Sequence, residues 1–208
     1  QQSNLNYAKL AKADLSEAVL DASSMNGVDL KGATLNGASF VKVDLSGSNL
    51  SGAVGKNVDF SQAVMTNSKI IKTSFEESVF SGANLSQSDL NESIITDADL
   101  SKVLMIKSQL IKVDLSRSDL SEGNYNHANF SEAILKGCNL EGVSAKNAVF
   151  KATNLQDANL TKAILDESDF SDSNLTRAQL DDASLLDTKL NGADLTLSSL
   201  KGAALKNA

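Results

Sequence analysis

The sequence predicts an all-β chain wound as a quadrilateral parallel β-helix, a solenoid of about ten four-sided coils with no interrupting loops. Three observations carry that prediction. First, of the 41 residues whose numbers are multiples of five, 26 are Leu, seven Phe, three Met, two Ile and one Tyr, leaving only Gly55 and Ala145 small. Second, the 42 residues two places before these positions or their continuation, Ser3 to Ala208, are 19 Ala, 12 Ser, six Val, three Thr, Gly123 and Cys138. Third, the register runs from end to end without insertion or deletion, so residues 1–208 read as a single repeat domain.

A period of five fits neither common element. Strand side chains alternate every second residue, and helical apolar positions recur at three and four. In a helix the large residues would scatter by about 140° per step. Burying one large and one small residue in every five is possible if the chain turns a corner each time. Four corners close a square of about twenty residues, and stacked squares pair as short parallel strands roughly 4.8 Å apart. The rod is then roughly 50 Å long.

The corner is expected to begin at each large residue. Ten of the 12 Gly fall two places later, as do Asn57, Asn67, Asn147 and Asn207. A type II turn needs φ > 0 there, which Gly and Asn tolerate best. Lys, Asp and Glu fill many of the other corners, which suggests type I or related turns at some of them. Residues twenty apart should stack. Phe40, Phe60 and Phe80 then form one internal column, and Phe130, Phe150 and Phe170 another on the opposite wall. Gly55 leaves a gap that Phe75 or Phe60 is expected to lean over, and Ala145 poses the same problem between Tyr125 and Leu165.

With this pattern in hand the chain resembles the pentapeptide repeat proteins, whose motif is A(D/N)LXX. ADLSE at Ala13, ANLSQ at Ala83, ADLSK at Ala98, ANLTK at Ala158 and ADLTL at Ala193 are good matches, and the resemblance covers almost the whole chain. It implies a right-handed coil. It also implies that no motif residue is catalytic, and that end-to-end dimerisation through a terminal coil is one way to cover an open stack.

Composition narrows the function. No apolar run approaches the 18 residues or more of a membrane span, so no membrane insertion is expected. Nothing at the N-terminus reads as a signal peptide, while the opening Gln1-Gln2 leaves both a processed protein and an excised domain open. The expected setting is soluble: cytoplasmic or, if processed, an exported or organelle-lumen compartment. The single Cys138 sits in a small inward slot, and no disulfide framework is possible within one chain. His127 is the only histidine, with no partners at zinc-ligand spacing. The carboxylates fall on convex faces rather than in a cleft. We therefore expect no enzyme activity, no cofactor and no metal.

Charge and surface pattern leave two classes. The net charge is −7, of which Asp157–Asp194 contributes −6 through nine acids and three bases. Acids Asp166, Glu167, Asp181, Asp182 and Asp187 define a candidate acidic patch, and argue against direct nucleic-acid binding, which needs a basic stripe. Alternating charges twenty apart (Lys72, Glu92, Lys112 and Glu132; Lys102 with Glu122; Lys162 with Asp182; Asp97 with Arg117; Asp157 with Arg177) read as register devices. The column holding all three Met also collects outward aliphatics, and Val64, Leu104, Ile106, Ile164 and Leu186 form a candidate partner face. The favoured expectation is a non-enzymatic rigid rod, a protein–protein interaction scaffold or adaptor. The alternative, implied by resemblance to quinolone-resistance members of the family, is a DNA mimic that inhibits or protects a type II topoisomerase such as DNA gyrase. Those members usually carry loops and are acidic throughout; this chain lacks the loops, and its acids concentrate in one third.

Overall fold

The computed structural model describes residues 3–208. Each residue just before a large inward one pairs in parallel with the residue twenty further on, from Asn4↔Ser24 to Ser184↔Ala204. The coil is therefore four five-residue sides, and one continuous ladder runs up each wall. Wall 1 carries the rungs Asn4 to Ala204, wall 2 Lys9 to Lys189, wall 3 Asp14 to Asp194, and wall 4 Val19 to Ser199. The ladder binds each coil in both directions. Met25 N–H donates upward to Asp44 O at 2.7 Å, while Ser24 N–H donates back to Ser3 O at 3.0 Å.

In the central coils both inward positions are buried as the period requires, while those of the terminal coils, such as Leu5 and Leu200, are partly buried. Leu30, Phe60, Leu110 and Leu160 are sealed from solvent, as are Ala33 and Val113 in the small slots. Burial of each large side chain contributes about 1.5–3 kcal/mol, and it recurs at every side of the coil. The two phenylalanine columns form as expected. Phe40, Phe60 and Phe80 stack at 5.1 and 4.9 Å, and Phe130, Phe150 and Phe170 at 5.0 and 4.6 Å. Offset stacking of this kind follows the ring quadrupole and adds to simple burial.

The corners differ from expectation. All 41 second-corner residues from Tyr7 to Asn207 have φ between 53° and 74°, whatever their type. The type I turns expected at charged corners are therefore not found. The reason is the ladder: the peptide joining the two corner residues lies along the stack. Its N–H donates to the next coil, as Lys42 N does to Ser61 O at 2.9 Å, and its C=O accepts from the coil before, as Thr196 O does from Arg177 N at 2.9 Å. The direction is therefore held even in the last coil, where Leu197 has φ 60°. Thirty-one non-glycine residues accept a left-handed conformation that costs an L-residue about 1–2 kcal/mol in isolation.

The gap at Gly55 is also closed differently. Val58, from the same corner, puts Cγ2 2.6 Å from where a Cβ on Gly55 would stand. Phe75 does lean, but onto Phe60, edge to face at 5.4 Å.

Candidate functional site

The outer surface is built from three positions in five, and their backbone needs decide much of what it displays. The N–H of each first-corner residue points away from the ladder and requires an acceptor. At nineteen corners among the described residues the Asn or Asp two residues earlier supplies it, as Asp59 Oδ1 does for Ser61 N at 2.8 Å. This Asx turn is the physical content of the D/N in the repeat.

At seven further corners the wall residue is Ser, Val or Gln. There the acceptor comes from the coil before: Asn6, Asp21, Asn36, Asn91, Asn126, Asp166 and Asp181 each receive the N–H twenty residues on. Five of them also take the hydroxyl of the wall serine, as Asp166 does from Ser184 Oγ at 2.5 Å. The signal was available in the sequence as D/N at a first corner with Ser eighteen residues later.

This places the candidate acidic residues. Asp166, Glu167 and Asp187 lie on the corner that leaves wall 1, whereas Asp181 and Asp182 lie on the corner that enters it. The acids clustered in sequence are thus divided by a wall. Asp166 and Asp181 act as cross-coil caps, and Asp166 also pairs with Lys146 at 3.3 Å. Asp187 accepts from Asn207 Nδ2 at 2.8 Å, and Asp182 lies over Gly202.

The candidate partner face is likewise subdivided. Val64, Leu104 and Ile164 are rungs of wall 1, each 39% exposed, with Ile106 and Leu186 half-buried beside the same wall. Leu104 and Ile106 flank one coil, and Ile164 and Leu186 occupy successive coils. Asn124, Asn126, Ser144 and Lys146 separate these two spots. Wall 3 exposes Val54, Ile94 and Ile134 to a similar degree, 40–45%, on alternate coils. Wall 1 is therefore not distinguished by its aliphatic content.

The charge ladders resolve into pairs. Lys72–Glu92 at 3.3 Å, Lys112–Glu132 at 3.4 Å and Lys102–Glu122 at 3.7 Å form as expected. Arg117 grips Asp97 with Nε and Nη2, and Arg177 grips Asp157 in the same way. The arginine hydrogen bonds hold both carboxyls below the usual carboxylate range. Lys162 departs from expectation: it reaches Glu141 at 3.7 Å rather than Asp182. The cause is geometric, since Glu141 stands one coil below on the adjoining first corner while Gly142 leaves the space beside it open.

Of the potentially reactive groups, Cys138 and Tyr125 are buried and His127 is exposed. Burial pushes the Cys138 thiol up to about 12, and its Sγ donates to Leu115 O at 2.9 Å. Tyr125 is fully buried with its hydroxyl given to Leu120 O, and desolvation pushes its pKa well above the ordinary value. His127 stands on an exposed second corner with φ 60°. Among the described residues no group of three His, Cys, Asp or Glu is arranged to hold a metal ion. A shallow depression of about 270 Å³, lined by Ser121, Glu122, Asn139, Glu141, Gly142 and Lys162, lies beside the Gly142 corner. No helix among the described residues is long and apolar enough to cross a membrane.

A four-walled rod with a sealed core and an outer surface of corner caps defines a repeat scaffold. The chain belongs to the pentapeptide repeat family: "Pentapeptide repeats (8 copies)" match residues 1–37, 38–76, 59–97, 71–105 and 178–208, and "Pentapeptide repeat region" matches 118–190. No curated protein sequence matches the chain. Among solved structures, it is similar to HetL, a pentapeptide repeat protein involved in heterocyst differentiation regulation from the cyanobacterium Nostoc sp. strain PCC 7120. The two share 24% identity over 95% of this chain and 88% of that one, at a TM-score of 0.56. It is also similar to a trypsin-treated form of QnrB1, a plasmid-mediated fluoroquinolone resistance protein, at 20% identity, 84% and 89% coverage, and a TM-score of 0.50. These likenesses concern the fold, a right-handed β-helix.

Proposed function

We propose that the chain is a non-enzymatic rigid rod that presents its flat walls to a protein partner. The observation that supports this reading is the unbroken ladder from Asn4 to Ala204. With both inward positions of the central coils filled, binding falls to the convex walls. Flat, preorganised walls lose little conformational entropy when a partner docks on them. The partner is a protein of unknown identity; a second copy meeting a terminal coil belongs to the same reading.

The competing reading, mimicry of DNA toward a type II topoisomerase, draws on the likeness to QnrB1, whose identity of 20% speaks to the fold alone. A supercoiling assay with purified gyrase separates the two. The scaffold reading expects no inhibition at stoichiometric chain. Inhibition that disappears when Asp166, Glu167, Asp181, Asp182 and Asp187 are changed to Asn or Gln, and survives Leu104→Ser with Ile106→Ser, would overturn it.

A further inference from the structure

Folding the sequence into columns of twenty redistributes its charge. First-corner side chains lie over the wall they leave, as Asn6 does when it takes Ser24 Oγ at 2.7 Å. Each wall therefore displays two columns, its rungs and the first corner that follows. On wall 4 these carry six carboxylates, Asp21, Asp59, Asp99, Asp119, Glu141 and Asp181, against Lys201 alone, a net of −5 out of the chain's −7. Wall 2, on the opposite side, carries five lysines against three aspartates, a net of +2. From Asp59 to Asp181 wall 4 has no base over about six coils, roughly 30 Å.

The corners that border wall 4 do not cancel this. Their bases Lys42, Lys102, Lys162, Arg117 and Arg177 stand against the acids Glu17, Glu77, Asp97, Glu122, Asp157 and Asp182, and of these bases Lys162 alone pairs with a wall 4 carboxylate, Glu141. By contrast Asp59, Asp99, Asp119 and Asp181 form no ion pair among the described residues. Each has Oδ1 fixed by the corner N–H it caps, at 2.8–3.0 Å, and Oδ2 unengaged. The side chains are thus already ordered, which removes much of the entropy that a surface ion pair normally costs. Between them run Ser61, Ser81, Ser101 and Ser121, a line of hydroxyls that can accept or donate beside a docked ammonium, with Ser81 and Ser101 bonded to each other at 2.8 Å.

We infer that wall 4 is the docking wall, and that its occupant is a lysine- or arginine-rich polypeptide segment laid along the rod. This rests on the scaffold reading and names the surface and partner chemistry within it. Charge complementarity selects the occupant: an acidic face with one free oxygen on each unpaired carboxylate matches extended cationic side chains, and repels a nucleic acid or an acidic protein.

The test uses the full chain and a fluorescein-labelled oligolysine peptide followed by anisotropy at low salt. One variant carries Asp59→Asn, Asp99→Asn and Asp119→Asn on wall 4. The control carries Asp14→Asn, Asp114→Asn and Asp194→Asn on wall 3. All six are local corner caps, a task that Asn49 and Asn129 already perform, and both triples remove three charges. The wall 4 triple should weaken binding at least about tenfold and the control less than about threefold. Equal losses, or no binding by the unaltered chain, would overturn the inference. Carbodiimide cross-linking of the unaltered chain to the same peptide is independent of whether a variant folds: the linked carboxylates should be those of wall 4, and links concentrated elsewhere refute it. Neither result bears on the gyrase assay, so the wall and the scaffold reading fail separately.

Discussion

The ring of Tyr125 folds back over Gly123, so that a Cβ built on Gly123 would stand 2.6 Å from the ring and its hydroxyl oxygen. Gly123 is the only glycine in the 42 small inward slots, and Tyr125 the only tyrosine at a large one. The two substitutions in the repeat compensate each other. The extra volume of the tyrosine is taken by the missing methyl, its hydroxyl finds Leu120 O at 3.1 Å, and its ring meets Phe130 edge to face at 5.6 Å.

Gly123→Ala should accordingly destabilise the rod by about 1–3 kcal/mol through overpacking. The same change in a Tyr125→Leu background should cost much less, because leucine is the usual occupant. A double-mutant cycle by denaturant unfolding measures the coupling. Additive effects would show that the ring does not need the glycine.

Inner serines give a second contrast. Ser93 Oγ accepts Thr73 N–H at 3.0 Å and donates to Ile70 O, so it repairs a corner whose own turn bond is absent. Ser173 Oγ is buried with no partner among the described residues. Ser93→Ala should cost about 1–3 kcal/mol and Ser173→Ala should be neutral or stabilising by about 1 kcal/mol. Melting temperatures of the two variants that shift in the same direction would contradict this account.

The uniform positive φ makes the corners a reservoir of strain. Gly47 has φ 67° with nothing within 4 Å of where a methyl group would stand, so Gly47→Ala isolates the backbone effect. It should cost about 1 kcal/mol. Lys42 has φ 56° and takes part in no ion pair among the described residues. Lys42→Gly should gain a similar amount, offset in part by unfolded-state entropy. Chemical denaturation reads both; a loss of stability for Lys42→Gly would mean that its side chain, not its backbone, matters.

Acid should unfold the rod. Hydrogen bonds from Ser16, Ser171 and Thr196 hold the carboxyls of Asp14, Asp169 and Asp194 below the usual carboxylate range, as the arginine forks do for Asp97 and Asp157. A carboxyl depressed on folding stabilises the rod fully above its unfolded pKa of about 3.9, and loses that contribution as pH falls through the folded value. Stability should therefore fall below about pH 4, and less steeply in a variant with Asp14→Asn and Asp194→Asn, where the cap stays and the titration goes. Equal acid limbs for the two proteins would refute the linkage.

The period of five makes the four walls, the sealed core and both phenylalanine columns legible from the chain alone. Lys72–Glu92 and Asp97–Arg117 are legible too, because a spacing of twenty is set once the square closes. The candidate surfaces are less so. Asp166 and Asp181 belong to one acidic stretch of sequence, yet they sit on different corners of the square, and each spends one oxygen on a backbone N–H. Lys162 reaches Glu141 rather than Asp182 because a glycine empties the neighbouring corner, a local vacancy that charge pattern alone does not reveal.

Side-chain volume and hydropathy at fixed spacing are enough to specify the repeat, the coil length and the inward or outward sense of every residue. The corner geometry belongs instead to the stacked coils, where hydrogen bonding of each corner peptide to the coils on either side imposes φ > 0 on lysine and glutamate as on glycine. Stacking also selects which acceptor serves each first-corner N–H, how Val58 fills the space at Gly55, and how Tyr125 shares volume with Gly123. Some of these groups are neighbours along the chain, but the outcome of their competition is set by packing inside the closed square and depends on distances that no spacing along the chain contains.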